Sequence, residues 1–223
     1  MERQYYEAYD DRYRQVHAKG LQWFADAPSG IVLETVRKLQ LNERHKLLEI
    51  GCGEGRDATV LMNEGFDLYA TDISREAITY CRKKFPKFAA RFAILDCIDG
   101  ELDKQFDFIY AVAILHMLVE DEHRNAFYRF IRKHLTQDGK ALICTMGDGE
   151  TERRTDPQDA FCLQDRIHEQ TGTPVRIAST SCRMVSFTTL EEELSNSGFV
   201  VLEEGVVPME PDFTQMMYVL VEG

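Results

Sequence analysis

The residues most suggestive of chemistry form a glycine cluster, Gly51, Gly53 and Gly55, placed just after an acidic residue, Glu49. Glycine has no Cβ, so the chain can turn sharply there and bring its backbone close to a ligand. The following residues, 56–63, have the pattern of a helix, and N–H groups at a helix N-terminus are a ready site for polar or anionic groups. The cluster therefore predicts a ligand site at a strand-to-helix turn. A structural turn without a ligand is the alternative interpretation.

Two further acids follow apolar runs in the same way. Asp72 comes after residues 66–71, and Asp96 comes after residues 91–95. Successive parallel strands end at one edge of a sheet, where open α/β folds bind ligands, so we expect both acids to lie near Gly51. Asp72 also stands about 20 residues after the glycines, where a carboxylate accepts hydrogen bonds from ribose hydroxyls. A helix cap or turn role for either aspartate is the alternative.

The elements that position these residues alternate between short apolar runs and amphipathic stretches, which predicts βαβ units around a parallel sheet. A helix capped by Thr188 and a closing strand pair follow. We predict strands at 45–50, 66–71, 91–95, 106–112, 140–146, 199–206 and 214–221, helices at 56–63, after Ser74 and at 120–135, and a turn at 137–139.

The chain of 223 residues contains no internal repeat and no Pro-rich linker, so we expect a single domain over residues 1–223. Residues 1–40 are rich in aromatic side chains and are expected to form an N-terminal helical segment. Residues 147–183 are mostly polar. Because a structureless loop of that length is uncommon inside a compact domain, we predict an inserted lid that caps the substrate site.

Charge and composition exclude several classes of function. The formal net charge of −12 argues against a non-specific nucleic-acid surface, so no DNA partner is expected. No apolar run approaches the roughly 18 residues that span a membrane, and the first residues do not form a signal peptide. The six cysteines lack metal-ligand spacing. We therefore expect reduced thiols in a cytoplasmic protein, with no metal unless a zinc site arises by spatial coincidence.

A dinucleotide site of the NAD type is disfavoured. Its fingerprint, GxGxxG, requires glycine at the position that Arg56 occupies, and the pattern here is GxGxG preceded by an acid. An NAD-dependent oxidoreductase is therefore the weaker alternative.

The stretch from Glu49 to Gly55 resembles the first motif of the class I, Rossmann-like S-adenosylmethionine-dependent methyltransferases. The resemblance implies an α/β fold, a doubly wound, mostly parallel seven-stranded sheet with helices on both faces and a C-terminal antiparallel strand. It spans roughly residues 44–146, because stretches similar to the later motifs of the family follow in order at 69–74, 95–97, 106–110, 115–116 and 135–140.

The same resemblance implies S-adenosylmethionine as cofactor, with S-adenosylhomocysteine as product. Glu49 would reach the amino end of the methionine moiety, Asp72 the ribose hydroxyls and Asp96 the adenine amino group. Ile73 and Cys97 would lie on the two faces of the adenine. The full set expected to bind the cofactor is Glu49, Gly51, Cys52, Gly53, Asp72, Ile73, Asp96, Cys97, Tyr110 and Trp23.

The acceptor side is less well defined, because methyl transfer from a sulfonium is an in-line displacement that depends mainly on alignment and exclusion of water. His116 is the candidate catalytic residue, and a core histidine is the alternative. The aromatic segment containing Tyr9 and Trp23 loosely resembles the start of thiopurine and halide/thiol methyltransferases. Residues 55–58 are similar to the tellurite-resistance type. Arg153, Arg154 and Arg176 suit a carboxylate or phosphate on an acceptor, or are solvated charges.

We therefore predict methyl transfer to an O, N or S atom of a small-molecule acceptor, by a monomer or homodimer. Family members that methylate base amines often carry Asn/Asp-Pro-Pro-Tyr after the fourth strand, where residues 110–113 read Tyr-Ala-Val-Ala. A methyltransferase acting on protein or RNA is one alternative. A non-catalytic module that binds S-adenosylmethionine is another.

Overall fold

The computed structural model describes residues 3–24, 26–209 and 213–223. Its helices are α1 (Ala8–His17), α2 (Gly30–Lys38), α3 (Arg56–Asn63), α4 (Arg75–Lys84), α5 (Asp121–His134) and α6 (Phe187–Asn196). Its strands are β1 (Lys46–Ile50), β2 (Asp67–Asp72), β3 (Phe92–Ile94), β4 (Phe106–Val112), β5 (Leu135–Met146), β6 (Arg153–Arg154), β7 (Leu163–Ile167), β8 (Pro174–Ala178), β9 (Arg183–Met184), β10 (Val200–Met209) and β11 (Phe213–Glu222). No helix in these ranges is both long and apolar enough to cross a membrane.

Seven strands form one central sheet in the order β10-β11-β5-β4-β1-β2-β3. Strands β1 to β5 pair in parallel, whereas β11 runs antiparallel to both β5 and β10. This arrangement confirms the predicted α/β, doubly wound, mostly parallel seven-stranded sheet with a C-terminal antiparallel strand. It also brings the carboxyl ends of β1, β2, β3 and β4 to one edge of the sheet.

Each face of the sheet packs against helices because side chains alternate along a strand. In β1, Leu48 and Ile50 join the apolar cluster that contains residues of α5 and α6. Leu47, on the opposite face, joins the cluster that contains residues of α2, α3 and α4. Strand β1 is therefore buried along nearly its whole length, as is typical of a parallel strand covered on both sides.

Two local predictions were wrong. The expected turn at 137–139 lies inside β5, as a bulge: Leu135 pairs with Phe106, and Lys140 already pairs with Phe108. The extra residues loop out and the strand then continues. Helix α6 is capped not by Thr188 but two residues earlier. The Ser186 hydroxyl lies at the N-cap and accepts a hydrogen bond from the N–H of Thr189 at 3.2 Å.

The N-terminal segment and the insertion pack on each other. Within residues 1–40, the described part holds a short 3₁₀ turn (Tyr5–Glu7), α1 and α2. The 147–183 segment contributes to two small antiparallel pairs, β6 with β9 and β7 with β8. Val16 of α1 meets Val175 and Ile177 of β8 in a small apolar cluster. The insertion therefore has its own secondary structure, and its role as a lid stays a prediction.

Candidate active site

A cavity of about 370 Å³ lies where the carboxyl ends of β1 and β2 meet the loops after β3 and β4. We call it the main cavity. It brings together eight residues that the sequence predicted to bind the cofactor, namely Glu49, Gly51, Cys52, Gly53, Asp72, Ile73, Asp96 and Cys97. The expected convergence of strand ends therefore occurs.

The glycine loop requires glycine for steric reasons. Gly51, Gly53 and Gly55 have φ angles of +73°, +51° and +79°, in the left-handed region that side chains disfavour. A Cβ at Gly51 would collide with the side chain of Ile114, and one at Gly53 would lie 2.5 Å from the Tyr13 hydroxyl. The loop therefore presents bare backbone to the main cavity.

Asp72 is held by this same loop. One carboxylate oxygen accepts the N–H of Gly53 and the other accepts the N–H of Ser74, each at 2.8 Å. Burial raises the pKa of Asp72 to about 6 despite these two bonds. Each carboxylate oxygen can accept a second hydrogen bond. Asp72 is therefore fixed in place and can still accept hydrogen bonds from the hydroxyl groups of a ligand.

Asp96 has a partner that sequence reasoning missed. Its Oδ1 accepts the N–H of Ile98 at 2.8 Å, and its Oδ2 accepts the hydroxyl of Tyr6 at 3.2 Å. Burial raises the pKa of Asp96. Tyr6 comes from the N-terminal segment, so only the fold shows that the two residues meet. Ile73 and Cys97, one residue after each aspartate, also line the main cavity.

Glu49 is a buried acid on the main cavity with an unpartnered oxygen. Its side chain is buried, with 3% of the residue exposed, and its Oε2 has no hydrogen-bond partner among the described residues. Burial, reinforced by the charge of Asp57, raises the pKa of Glu49 well above its ordinary value. A buried carboxylate oxygen without a donor is costly, so this atom is suited to a donor that a ligand brings.

The main cavity is electronegative. Its walls carry two basic residues, Arg56 and Lys84, against six acids. The acids are Asp26, Glu49, Glu54, Asp57, Asp72 and Asp96. A formal net charge of 2 − 6 = −4 favours a cationic ligand.

The N-terminal segment is tied to the glycine loop by Glu54, another residue that sequence reasoning missed. Its carboxylate accepts the N–H groups of Trp23 and Phe24 at 2.8 and 2.9 Å. It also lies 2.9 Å from Nε2 of His17, whose Nδ1 lies 2.8 Å from Glu76. An acid inside the glycine cluster was the available signal, but its partners lie far away in the sequence.

Comparison with known proteins adds the decisive finding. Residues 47–139, which include the glycine loop, Asp72 and Asp96, match the family model described as a methyltransferase domain. This part of the chain is a methyltransferase domain, and the enzyme is an S-adenosylmethionine-dependent methyltransferase. Its cofactor is S-adenosylmethionine and its product S-adenosylhomocysteine. No curated protein matches the sequence of this methyltransferase significantly.

Solved structures share its fold at low sequence identity. A methyltransferase from Clostridium acetobutylicum has 15% identity and a TM-score of 0.67, over 94% of this chain and 95% of that one. The glycopeptide N-methyltransferase MtfA with sinefungin has 19% identity and a TM-score of 0.66, over 90% of each chain. The 1,6-didemethyltoxoflavin-N1-methyltransferase of Burkholderia thailandensis has 15% identity and a TM-score of 0.71, over 99% of this chain and 90% of that one.

The main cavity of the methyltransferase fits this cofactor. S-adenosylmethionine supplies a methyl group on a positively charged sulfonium and also carries an ammonium, so an electronegative cavity suits it. The unpartnered Oε2 of Glu49 matches the ammonium, and the spare acceptor capacity of Asp72 matches hydroxyl groups.

A second cavity of about 260 Å³ adjoins the first, and we call it the side cavity. Both cavities are lined by Tyr9, Phe24, Ala113 and Met117. The remaining walls of the side cavity come from Arg12 and Trp23 of the N-terminal segment, from the loops at the ends of β4 and β5, from the insertion and from Phe213. The methyltransferase thus has room for a second molecule beside its cofactor.

His116 and Trp23 lie on the side cavity rather than the main one. Tyr110 lies on neither and is fully buried in β4, where its ring stacks on Phe108 at 5.8 Å. Trp23 and Tyr110 therefore do not line the main cavity with the glycine loop, and their role in binding the cofactor stays a prediction. Trp23 belongs to a loop that runs past the main cavity, and Tyr110 points into the packed face of the sheet.

The surroundings of His116 determine which of its ring nitrogens carries the proton. Its Nδ1 accepts the N–H of Met146 at 3.3 Å, so the neutral ring carries its proton on Nε2. Burial, together with the charges of Arg124 and Arg12, lowers the pKa of His116 to about 3. This histidine is therefore a neutral hydrogen-bond donor at ordinary pH and a weak proton acceptor.

Proposed function

We propose that this methyltransferase moves a methyl group, by in-line displacement, to an O, N or S atom of a small molecule bound in the side cavity. The observation that carries the proposal is the junction of the two cavities along Tyr9, Phe24, Ala113 and Met117. A donor in one cavity and an acceptor in the other would meet there, away from bulk water.

The residues of the main cavity support specific roles in this proposal. Glu49 binds the ammonium, Asp72 accepts from the ribose hydroxyls, and Asp96 contacts the adenine amino group. Ile73 and Cys97 pack against the adenine. The support comes from their common location on the main cavity and from the unpartnered or incompletely used oxygens described above.

His116 is proposed to position the acceptor rather than to remove its proton. With Nδ1 occupied by the Met146 N–H, Nε2–H is the atom available to donate to the acceptor. A proton that must leave the acceptor would pass to water or to a basic group of the acceptor itself. This role keeps His116 as the candidate catalytic residue while excluding it as a strong general base.

A small acceptor is favoured over protein or RNA by the size of the side cavity, about 260 Å³. Helix α1 and the β7–β8 pair pack together beside it, and Arg12 bridges them with hydrogen bonds to the carbonyls of Ala178 and Ser179. One similar structure is a glycopeptide N-methyltransferase and another holds bound 1,6-didemethyltoxoflavin, so both larger and smaller acceptors occur on this fold. The free cysteines favour a reducing compartment such as the cytoplasm.

The test is turnover. The protein is incubated with S-adenosylmethionine and a panel of small phenols, thiols and aromatic amines, and S-adenosylhomocysteine is quantified. We expect acceptor-dependent product formation that is abolished by Asp72→Ala. His116→Gln, which retains a donor, is expected to keep more activity than His116→Ala. Tight binding of S-adenosylhomocysteine with no turnover of any acceptor would instead favour the non-catalytic binding module.

A further inference from the structure

The side cavity has the opposite charge from the main cavity. It is lined by three arginines, Arg12, Arg153 and Arg166, and by a single acid, Glu169. Its formal net charge is therefore 3 − 1 = +2, whereas the main cavity has −4 and the whole chain −12. A local excess of arginine on such an acidic chain indicates selection for an anionic ligand group.

Arg12 is a buried cation without a counter-ion. Only 7% of the residue is exposed. Its Nε and Nη2 donate to the backbone carbonyl of Ala178, and Nη2 also donates to the carbonyl of Ser179 and to the hydroxyl of Thr180. No carboxylate lies within ion-pair distance of Arg12 in residues 3–24, 26–209 and 213–223. These neutral partners orient the guanidinium but leave its charge unbalanced, which is costly inside a protein.

Arg153 and Arg166, which are both exposed to solvent, also lack an ion pair, whereas two neighbouring arginines have one. Arg153 donates from Nε to the sulfur of Met184, and neither it nor Arg166 forms an ion pair with a carboxylate of the described residues. Arg154, next in the chain, pairs with Glu120 at 3.3 Å. Arg183, on the strand facing Arg153, pairs with Asp121 at 2.5 Å. All three guanidinium groups on the side cavity therefore lack a carboxylate partner among the described residues.

The same cavity is lined by aromatic rings. The guanidinium of Arg12 lies 4.8 Å from the ring of Trp23. The ring of Phe213 lies 6.3 Å from Phe24 and 6.3 Å from His116. Flat ring systems pack favourably against such walls through offset or edge contacts.

We propose that the acceptor is an aromatic molecule bearing a carboxylate, and that Arg153 and Arg166 bind the carboxylate while Arg12 supplies a fixed positive field beside it. This inference rests on the proposed function, because it takes the side cavity as the acceptor site. A guanidinium offers two parallel N–H donors that match the two oxygens of a carboxylate. The aromatic wall then holds the ring, with the methyl-accepting atom toward Ala113 and Met117.

Binding at this cavity can be measured directly because Trp23, the one tryptophan of the chain, lies on its wall. The protein, saturated with S-adenosylhomocysteine, is titrated with benzoate and with benzamide, its uncharged analogue, while tryptophan fluorescence is recorded. We expect benzoate to bind about tenfold more tightly than benzamide, a difference of about 1.4 kcal/mol. In the double variant R153Q/R166Q this preference is expected to fall below about threefold.

The matched control is R154Q/R176Q, which removes the same charge from the same two strand pairs but outside the side cavity. It is expected to keep the preference for benzoate. The inference is overturned if benzamide binds as tightly as benzoate, if both double variants lose the preference equally, or if neither compound changes the fluorescence of Trp23.

A separate calorimetric titration with S-adenosylhomocysteine distinguishes this inference from the proposed function. If S-adenosylhomocysteine binds but benzoate is not preferred over benzamide, only the inference of a carboxylate-bearing acceptor is overturned. No binding of S-adenosylhomocysteine overturns the proposed function, whatever benzoate does. Unchanged binding of S-adenosylhomocysteine to both double variants also shows that they are folded.

Discussion

Replacing Glu49 with glutamine removes the charge from a buried carboxylate at the main cavity, one oxygen of which has no donor among the described residues. The side chain keeps its shape and its place in β1, next to Tyr110 of β4. A hydrogen bond to a charged group contributes about 1.5–3 kcal/mol, which corresponds to roughly 10- to 100-fold in affinity. Because burial raises the pKa of Glu49, part of that gain is offset by the cost of ionising it. We therefore expect the Kd for S-adenosylhomocysteine to rise about tenfold, at the lower end of that range.

Isothermal calorimetry with two ligands locates the effect. S-adenosylhomocysteine carries the amino-acid moiety, whereas 5′-methylthioadenosine has the same nucleoside without it. Glu49→Gln is expected to raise the Kd for S-adenosylhomocysteine and to change the Kd for 5′-methylthioadenosine by less than about twofold, since only S-adenosylhomocysteine has an ammonium group. Asp72→Asn is the matched comparison. It is expected to weaken both ligands, because both present ribose hydroxyls.

Two results would refute this reasoning. Unchanged affinity of Glu49→Gln for S-adenosylhomocysteine would show that Oε2 does not receive the ammonium. Equal weakening of both ligands would show that Glu49 acts by holding the glycine loop instead. Thermal unfolding of the variant is the control for folding, and no loss of stability is expected because the substitution removes an unpaired buried acid.

Three further predictions concern the same region. Burial raises the pKa of Asp72 to about 6, so S-adenosylhomocysteine should bind most tightly above that pH. Below it, the Kd should rise by at most about tenfold per pH unit. A Kd that calorimetry finds independent of pH would contradict the role of Asp72 in binding the ribose. Burial alone would lower the pKa of His17, but hydrogen bonds to Glu54 and Glu76 outweigh it and raise the pKa. The contribution of protonated His17 to the free energy of unfolding should therefore be complete below about pH 6.5 and be lost as pH rises through the raised pKa. In His17→Gln, the pH dependence of the free energy of unfolding should be flatter. Gly53→Ala combines a φ of +51° with a contact to a hydroxyl, so chemical denaturation should show a loss of at least about 1 kcal/mol, and an unchanged midpoint would contradict that strain.

The order of strands and helices was largely predictable because it depends on local periodicity. Helix α3 and strand β4 have the predicted bounds, and the acids Asp72 and Asp96 lie at the predicted edge. The two errors, at residues 137–139 and at the N-cap of α6, occurred where the local sequence fits two different structures. The loop at 137–139 has turn composition whether it ends a strand or bulges from one, and both Ser186 and Thr188 are good N-caps.

By itself, the sequence determined the glycine loop and the strand-end carboxylates that line the main cavity. Glycines at positive φ and carboxylates at strand ends follow from the geometry of a turn and from the single edge at which parallel strands end. The tertiary structure alone decided how the side cavity is built. Arg12 meets Ala178 across 166 residues of chain, and Tyr6 meets Asp96 across 90. Such contacts arise from the packing of the N-terminal segment against the insertion and the sheet edge, which no local spacing encodes.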